Sequence, residues 1–320
     1  MRRRNNIPWK TSLLAGAVLL LAPVLLSGLN QSAGKAEPQD SGDATFTAES
    51  RLVPLNVTIT DKTGRVVTNL PQSAFQVLEN GVAQPIKVFK REDVPVSMGL
   101  VIDNSGSMRD KRQGVESAAL ALVRNSNKED EVFVVNFNDE AYLDAEFTSE
   151  IKEMERGLTK IDSRGGTAMR DALRMSIDYM KEKAKRDKKV ILVITDGNDN
   201  ASVMSLESLV RLAQQNDVLV YAIGILSEEQ KREANKAKRV LNLLVESTGG
   251  QVFYPKDSSE VENVANQVAH DIRNQYSVAY TPVNDTLDGS YRTIKVIVKG
   301  PGSPSARTRL GYYAKSKLNK

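Results

Sequence analysis

Residues 98–108 read Met-Gly-Leu-Val-Ile-Asp-Asn-Ser-Gly-Ser-Met, and the change of character inside this stretch decides how the rest of the chain is read. Up to Ile102 it is an unbroken apolar run, the signature of a parallel strand buried on both faces. At Asp103 it turns small and polar, through Asn104, Ser105, Gly106 and Ser107. Beyond Met108, Val115, Ala118, Ala119, Leu122 and Val123 recur at helical spacing. One carboxylate and two hydroxyls are therefore presented on the loop that leaves a strand tip, the place where open α/β sheets bind ligands. All three are hard oxygen donors, suited to Mg²⁺, Ca²⁺ or Mn²⁺ rather than softer metals.

Working outward, strands and helices alternate from about residue 97 to 274. Strands are expected at 98–102, 132–137, 190–195, 218–225 and 252–254, with an antiparallel edge strand at 142–147. Helices are expected at about 109–126, 149–160, 168–185, 205–215, 228–247 and 258–274. Such alternation predicts an α/β fold, a doubly wound and mostly parallel sheet. The flanks read as β. Upstream, 52–60 alternates, Val66 and Val67 resume a strand, and 75–79 with 86–89 forms a hairpin about the turn Asn80-Gly81. Downstream, 276–280, 291–298 and 306–313 are strands. Neither flank makes an ample sheet alone, so residues 45–96 and 275–314 are expected to pack as one smaller β-sandwich-like domain. The α/β domain, residues 97–274, would be inserted in it or flanked by it, and 315–320 would be a tail. Two independent small β units are the alternative.

The first 44 residues have another character. Arg2, Arg3, Arg4 and Lys10 precede an apolar run from Leu13 to Leu29, followed by small and polar residues. This is the layout of a signal peptide over residues 1–36, with an uncleaved membrane anchor as the alternative; residues 37–44 form a polar linker. Export is thus expected, to a periplasm or the extracellular space, or to an inner-membrane-anchored position if the leader is kept. Removing 1–36 takes away five basic residues (Arg2, Arg3, Arg4, Lys10, Lys35) and no acidic one. Lys and Arg fall from 44 to 39 against 40 Asp and Glu, and the apparent basicity vanishes. Nucleic acid is not an expected partner. The absence of Cys excludes disulfides, zinc-thiolate sites and thiol nucleophiles, and a single histidine, His270, leaves little room for a Ser-His-Asp triad.

Two further loops bear on the first. Ser163-Arg-Gly-Gly-Thr-Ala-Met169 places Thr167 just before a helix, and Val190-Ile-Leu-Val-Ile-Thr-Asp-Gly197 is a second buried strand ending in Thr195 and Asp196. Each alone reads most simply as an N-cap or a turn. Together they put a Gly-Gly-Thr loop between two buried strands that each end in Asp. If those strands are neighbours whose connections diverge, their tips flank a crevice.

With these residues in view, Asp103-Asn-Ser105-Gly-Ser107 resembles the D-x-S-x-S signature of the von Willebrand factor A-like domain. Thr167 and Asp196 resemble its second and third metal-site loops, in the same order. The resemblance covers roughly 97–275. The β flanks resemble those of a bacterial exported group, through Ala74-Phe-Gln-Val-Leu-Glu-Asn-Gly81 and Arg309-Leu-Gly-Tyr-Tyr313. The resemblance implies a metal-ion-dependent adhesion site. In it Ser105, Ser107 and Thr167 give hydroxyl oxygens, while Asp103 and Asp196 give carboxylates directly or through water. It further implies a Mg²⁺ (or Ca²⁺ or Mn²⁺) ion left under-neutralised, so that an Asp or Glu of a protein partner completes its shell. A non-enzymatic, exported binding or adhesion module is the expected function. The alternative is an envelope assembly component with a permanent metal, and a hydrolase is remote. Ser105 lacks the leading Gly of a nucleophile elbow, and His270, between Ala269 and Asp271, is expected on a solvated helix face with Asp271 and Arg273. Asp199 and Asn200 lie near the same rim, Asp199 expected as a solvated turn residue. The charged runs 181–189 and 228–239 are expected as solvated helix faces.

Overall fold

A computed structural model describes residues 52–315, except 92, 125, 160–163, 198 and 227–229. The expected leader and linker, and the tail beyond Lys315, lie outside the described residues. The described chain falls within one compact unit.

At its centre is a six-stranded sheet. In chain order its strands are β5 (Val96–Asp103), β6 (Glu131–Phe137), β7 (Ala141–Thr148), β8 (Lys188–Thr195), β9 (Val218–Gly224) and β10 (Val252–Phe253). They lie side by side as β10-β9-β8-β5-β6-β7, all parallel except the antiparallel edge strand β7. The apolar runs are buried along their whole length, as a sheet covered on both faces requires. Alternate residues serve opposite faces: Met98, Leu100 and Ile102 join one core, and Val101 joins the other. Helices α1 (Arg112–Arg124), α2 (Ile151–Thr159) and α6 (Val261–Arg273) cover the first face. Helices α3 (Met169–Lys183), α4 (Leu206–Gln215) and α5 (Lys231–Thr248) cover the second. The apolar face of α1 is Val115, Ala118, Ala119, Leu122 and Val123, as its spacing predicts.

The decisive feature is that β5 sits between β6 and β8, with Ile102 beside Ile194. The chain leaves β5 toward β6 on one side and returns on the other, so the tips of β5 and β8 form a topological switch point.

The remaining strands are β1 (Val53–Thr60), β2 (Phe75–Glu79), β3 (Val82–Gln84), β4 (Ile86–Lys90), β11 (Tyr276–Tyr280), β12 (Tyr291–Val298), β13 (Ser305–Arg307) and β14 (Gly311–Tyr313). They build two four-stranded sheets, β13-β1-β11-β4 and β14-β12-β2-β3, around a shared apolar core. Each sheet takes strands from both sides of the α/β segment: β1 pairs with β11, and β2 with β12. The fold is thus α/β, with a doubly wound, mostly parallel sheet joined to a smaller β-sandwich.

Four expectations need correction. The strand expected at 306–313 is two short ones, Ser305–Arg307 and Gly311–Tyr313, which lie in different sheets. The hairpin at Asn80-Gly81 closes on Val82–Gln84; residues 86–90 cross to the other sheet and pair with β11. With four residues between the turn and Ile86, that segment comes too late for a tight hairpin partner, and the alternation of 86–89 suited either sheet. Val66 and Val67 do not extend a strand, since Val66 makes only an isolated bridge with Thr60. The run 181–189 is not one solvated helix face. Helix α3 ends at Lys183, and Lys188 is buried at the start of β8, where its Nζ donates to the Ile272 carbonyl at the end of α6.

Candidate metal centre

Three loops meet at the switch point, and backbone hydrogen bonds stitch them together. The Gly106 N–H donates to the Gly165 carbonyl (3.3 Å) and the Arg164 N–H to the Asn104 carbonyl (3.1 Å), which joins the first loop to the second. The Asn200 and Ala201 N–H groups both donate to the Thr167 carbonyl (3.1 Å each), which joins the third loop to the second. The Gly165-Gly166 pair makes the close approach possible. Gly165 has φ +77°, and a Cβ on either residue would collide with the carboxylate of Asp139. That carboxylate accepts the Gly166 N–H at 2.8 Å.

Asp103 closes β5 and is only 2% exposed. Its Oδ1 accepts the Ser105 N–H (2.9 Å), and its Oδ2 accepts the Thr195 hydroxyl (2.6 Å) from the neighbouring strand. Burial, with the charge of Asp196 adding to it, pushes the Asp103 pKa up to about 6 against the hydrogen bonds that lower it. Among the described residues its hydrogen-bond partners are all neutral.

Ser105 precedes the 3₁₀ turn Gly106–Lys111, yet its side chain makes no capping bond. Its Oγ instead lies 3.1 Å from the Ser107 Oγ. The plain N-cap role that a serine at such a position suggests does not apply here. Thr167 is buried, its N–H held by the Asn200 Oδ1 at 2.9 Å. Asp196 is half-buried and Ser107 exposed, so the oxygen donors grade from a closed floor at Asp103 to an open mouth at Ser107.

The donor set fits a small divalent cation on its chemistry. Two carboxylates and three hydroxyls are hard oxygen atoms, and Asp103 is a buried anion with no cationic hydrogen-bond partner from the described chain. Among the described residues, no group of three or more His, Cys, Asp or Glu side chains is placed to hold a metal.

The neighbours of this set were only partly visible in the sequence. Asn200 does lie at the rim, but its amide holds the Thr167 backbone rather than pointing outward. Asp199 corrects an expectation: its side chain is 6% exposed, and it accepts hydrogen bonds from the Arg170 backbone and guanidinium and from Ser202. Asp139 and Thr195 carried no signal of their own as supports. At the far helix, His270 is exposed as expected, but Asp271 and Arg273 are not on a solvated face. Asp271 is buried against Arg307 (2.9 Å), and Arg273 reaches Asp93 and Asp130.

An open, doubly wound sheet with oxygen donors from three loops at its switch point defines the class of the protein. A family model for the von Willebrand factor type A domain matches residues 98–267, and the chain belongs to that family. The mouse calcium-activated chloride channel regulator 1 is 27% identical over 51% of this chain, and the match spans 17% of that protein. Mouse integrin alpha-11 is 32% identical over 27% of this chain and 7% of its own length. Among solved structures, a von Willebrand factor type A protein from Catenulispora acidiphila is similar over 83% of this chain and 75% of its own. Its TM-score is 0.49 at 12% identity. A mussel byssus protein, proximal thread matrix protein 1 with a zinc-occupied MIDAS motif, is similar over 61% of this chain and 49% of its own, with TM-score 0.48 at 19% identity. No helix among the described residues is long and apolar enough to cross a membrane.

Proposed function

We propose that this chain is an exported, non-enzymatic binding module that uses a divalent cation to engage an acidic side chain on a protein partner. Asp103, Ser105, Ser107, Thr167 and Asp196 would hold the ion, Mg²⁺ in the first instance, with Ca²⁺ or Mn²⁺ as the other candidates. A bound cation supplies positive charge at the mouth of the site, where a partner's Asp or Glu is drawn to it. The chain's own residues do the rest. Thr195 and the Ser105 N–H orient the Asp103 carboxylate. The Gly165-Gly166 turn lets Thr167 come close, and the exposed Ser107 side leaves a path for the partner. The binding domain is residues 97–274; the leader, residues 1–36, directs export.

The observation that carries this reading is the buried Asp103 carboxylate, compensated by neutral donors alone, beside hydroxyls free of capping duty. With three of the five donors neutral hydroxyls, and a carboxylate held through water rather than directly, the ion keeps positive charge and an exchangeable water, which favours recruitment of a further carboxylate from outside.

The test is calorimetric titration of the folded protein with MgCl₂, paired with capture of the protein on an immobilised glutamate-bearing peptide in Mg²⁺ and in chelator. Wild type takes up the cation and is captured only with it; Asp103→Ala does neither. Absence of cation uptake by wild type, or Mg²⁺-dependent capture retained in Asp103→Ala, overturns the proposal. Cation uptake without any metal-dependent capture would instead point to a metal that serves the fold.

A further inference from the structure

Helix α3 begins at Met169 with an N-terminus that its own cap residue, Ala168, does not satisfy with a side chain. The partners come from the third loop instead. Asp199 accepts the Arg170 N–H at 2.9 Å, and the Ser202 Oγ accepts the Asp171 N–H at 3.2 Å. The same Asp199 carboxylate accepts the Arg170 guanidinium at 3.0 and 3.3 Å and is in turn braced by the Ser202 N–H and hydroxyl. Asp171 answers by accepting the Val203 and Met204 N–H groups at 2.9 and 3.0 Å. Acceptors and donors thus run both ways across the junction. Placing a carboxylate at the positive end of α3 is favourable, and the ion pair with Arg170 adds to it.

This clasp lies between the two loops that supply Thr167 and Asp196. Thr167 is three residues before Arg170, and Asp196 is three residues before Asp199. We infer that Asp199 and Arg170 are positioning residues of the site. By locking the second loop to the third they make its geometry rigid and so favour Mg²⁺ over Ca²⁺. The inference rests on the metal reading above. Mg²⁺ demands near-ideal octahedral geometry at short distances, whereas Ca²⁺ tolerates a looser and larger shell. A site whose loops are pinned by a reciprocal set of bonds suits the stricter ion, and loosening the pins penalises that ion first.

The experiment measures the affinities of the whole chain for Mg²⁺ and for Ca²⁺ separately, by calorimetry, in wild type, Asp199→Ala, Arg170→Met and Ser205→Ala. The last removes the N-cap of α4, whose hydroxyl accepts the Ser208 N–H, and serves as a purely structural control. Outer partners of metal ligands commonly change affinity by about 10- to 100-fold. Asp199→Ala is expected to weaken Mg²⁺ by about 10-fold or more, Ca²⁺ by about threefold or less, and thus to collapse the Mg²⁺/Ca²⁺ ratio. Arg170→Met, which leaves the carboxylate on the helix terminus, shifts the ratio in the same direction by less; Ser205→Ala leaves it alone. Hydrogen exchange at the Thr167 and Arg170 amides quickens in the two clasp variants.

Equal losses for both ions, or an unmoved ratio, overturn the inference while leaving the metal reading standing. Wild type that takes up neither ion removes the metal reading itself, and the inference with it. If Asp199→Ala does not fold, Arg170→Met decides alone: an unchanged ratio there is a refutation.

Discussion

The two ends of the central sheet bury carboxylates in opposite ways. At the end where the strands begin, Asp130 is 3% exposed and the chain supplies it with a cation: Arg273, from the end of α6, forms an ion pair with it. The Asp130 carboxylate also accepts the Val96 and Asn127 N–H groups, each at 2.9 Å. Nearby, Glu131 accepts from the Ser97 hydroxyl, and Lys188 from the next strand over donates to the end of α6. At the end where the strands finish, Asp103 is as deeply buried, and the donors reaching it are the Ser105 amide and the Thr195 and Ser105 hydroxyls. A buried charge is tolerated when it is paired and fully hydrogen-bonded. The first end meets that condition from within the chain. At the second, the hydrogen-bond partners of the Asp103 carboxylate among the described residues are all neutral. Arg273 makes Asp130 an anion paired from within the fold, whereas under the proposed function Asp103 is the anion completed by an external cation.

The largest effect that would break this contrast is expected at Asp103. Asp103→Asn keeps the side chain's shape and its bond from the Ser105 N–H, but removes the charge. Cation uptake, followed by calorimetry, is expected to disappear. In chelator at pH 7, denaturant unfolding should show stability unchanged or raised, because a carboxylate whose burial costs free energy has been neutralised. A clear loss of stability in chelator would place Asp103 with the structural anions and erase the distinction.

The mirror experiment at the other end has the opposite sign. Asp130→Ala leaves Arg273 without its buried partner and strips two backbone N–H groups of their acceptor. The expected loss is about 4 kcal/mol in denaturant unfolding, the same with and without divalent cation. A loss confined to cation-loaded protein would contradict the assignment of this end to the fold alone.

How much of this was legible in the chain differs between the same two ends. The strand tips were readable because a buried strand that stops at Asp leaves a visible edge in the sequence, twice, with Gly-Gly-Thr between. The central sheet was readable for the same reason, since long apolar runs at spaced intervals admit few arrangements. The compensating partners were not. Arg273 lies 143 residues from Asp130, and Lys188 sits inside a charged run that reads as solvated until the end of α3 is known. Asp199 looked like a turn residue because nothing local distinguishes a carboxylate facing solvent from one folded onto a distant helix terminus. The misplaced hairpin partner has a similar origin: alternation places a strand on a face but does not say in which of two sheets it lies.

The smallest effect sharpens the contrast through pH. Burial lowers the Lys188 pKa from 10.5 to about 8; the charges of Asp93 and Asp130 work to raise it, and Arg273 works with burial. Since the folded pKa lies below the unfolded one, the unfolded chain holds more protons between about pH 8 and 10.5. The cost of burying the ammonium is therefore present in full below pH 8 and is relieved as pH rises through that window. Relative to Lys188→Met, which has no titrating group there, wild type should gain stability from pH 8 to 10.5, by at most about 3.5 kcal/mol at about 1.4 kcal/mol per pKa unit. Denaturant unfolding of the two proteins across that range reads the difference directly. A flat difference would mean that Asp93 and Asp130 already hold the ammonium as an ordinary one. A falling difference would mean that they over-compensate it, and that the base of the sheet, like its tip, carries a charge the chain has not balanced.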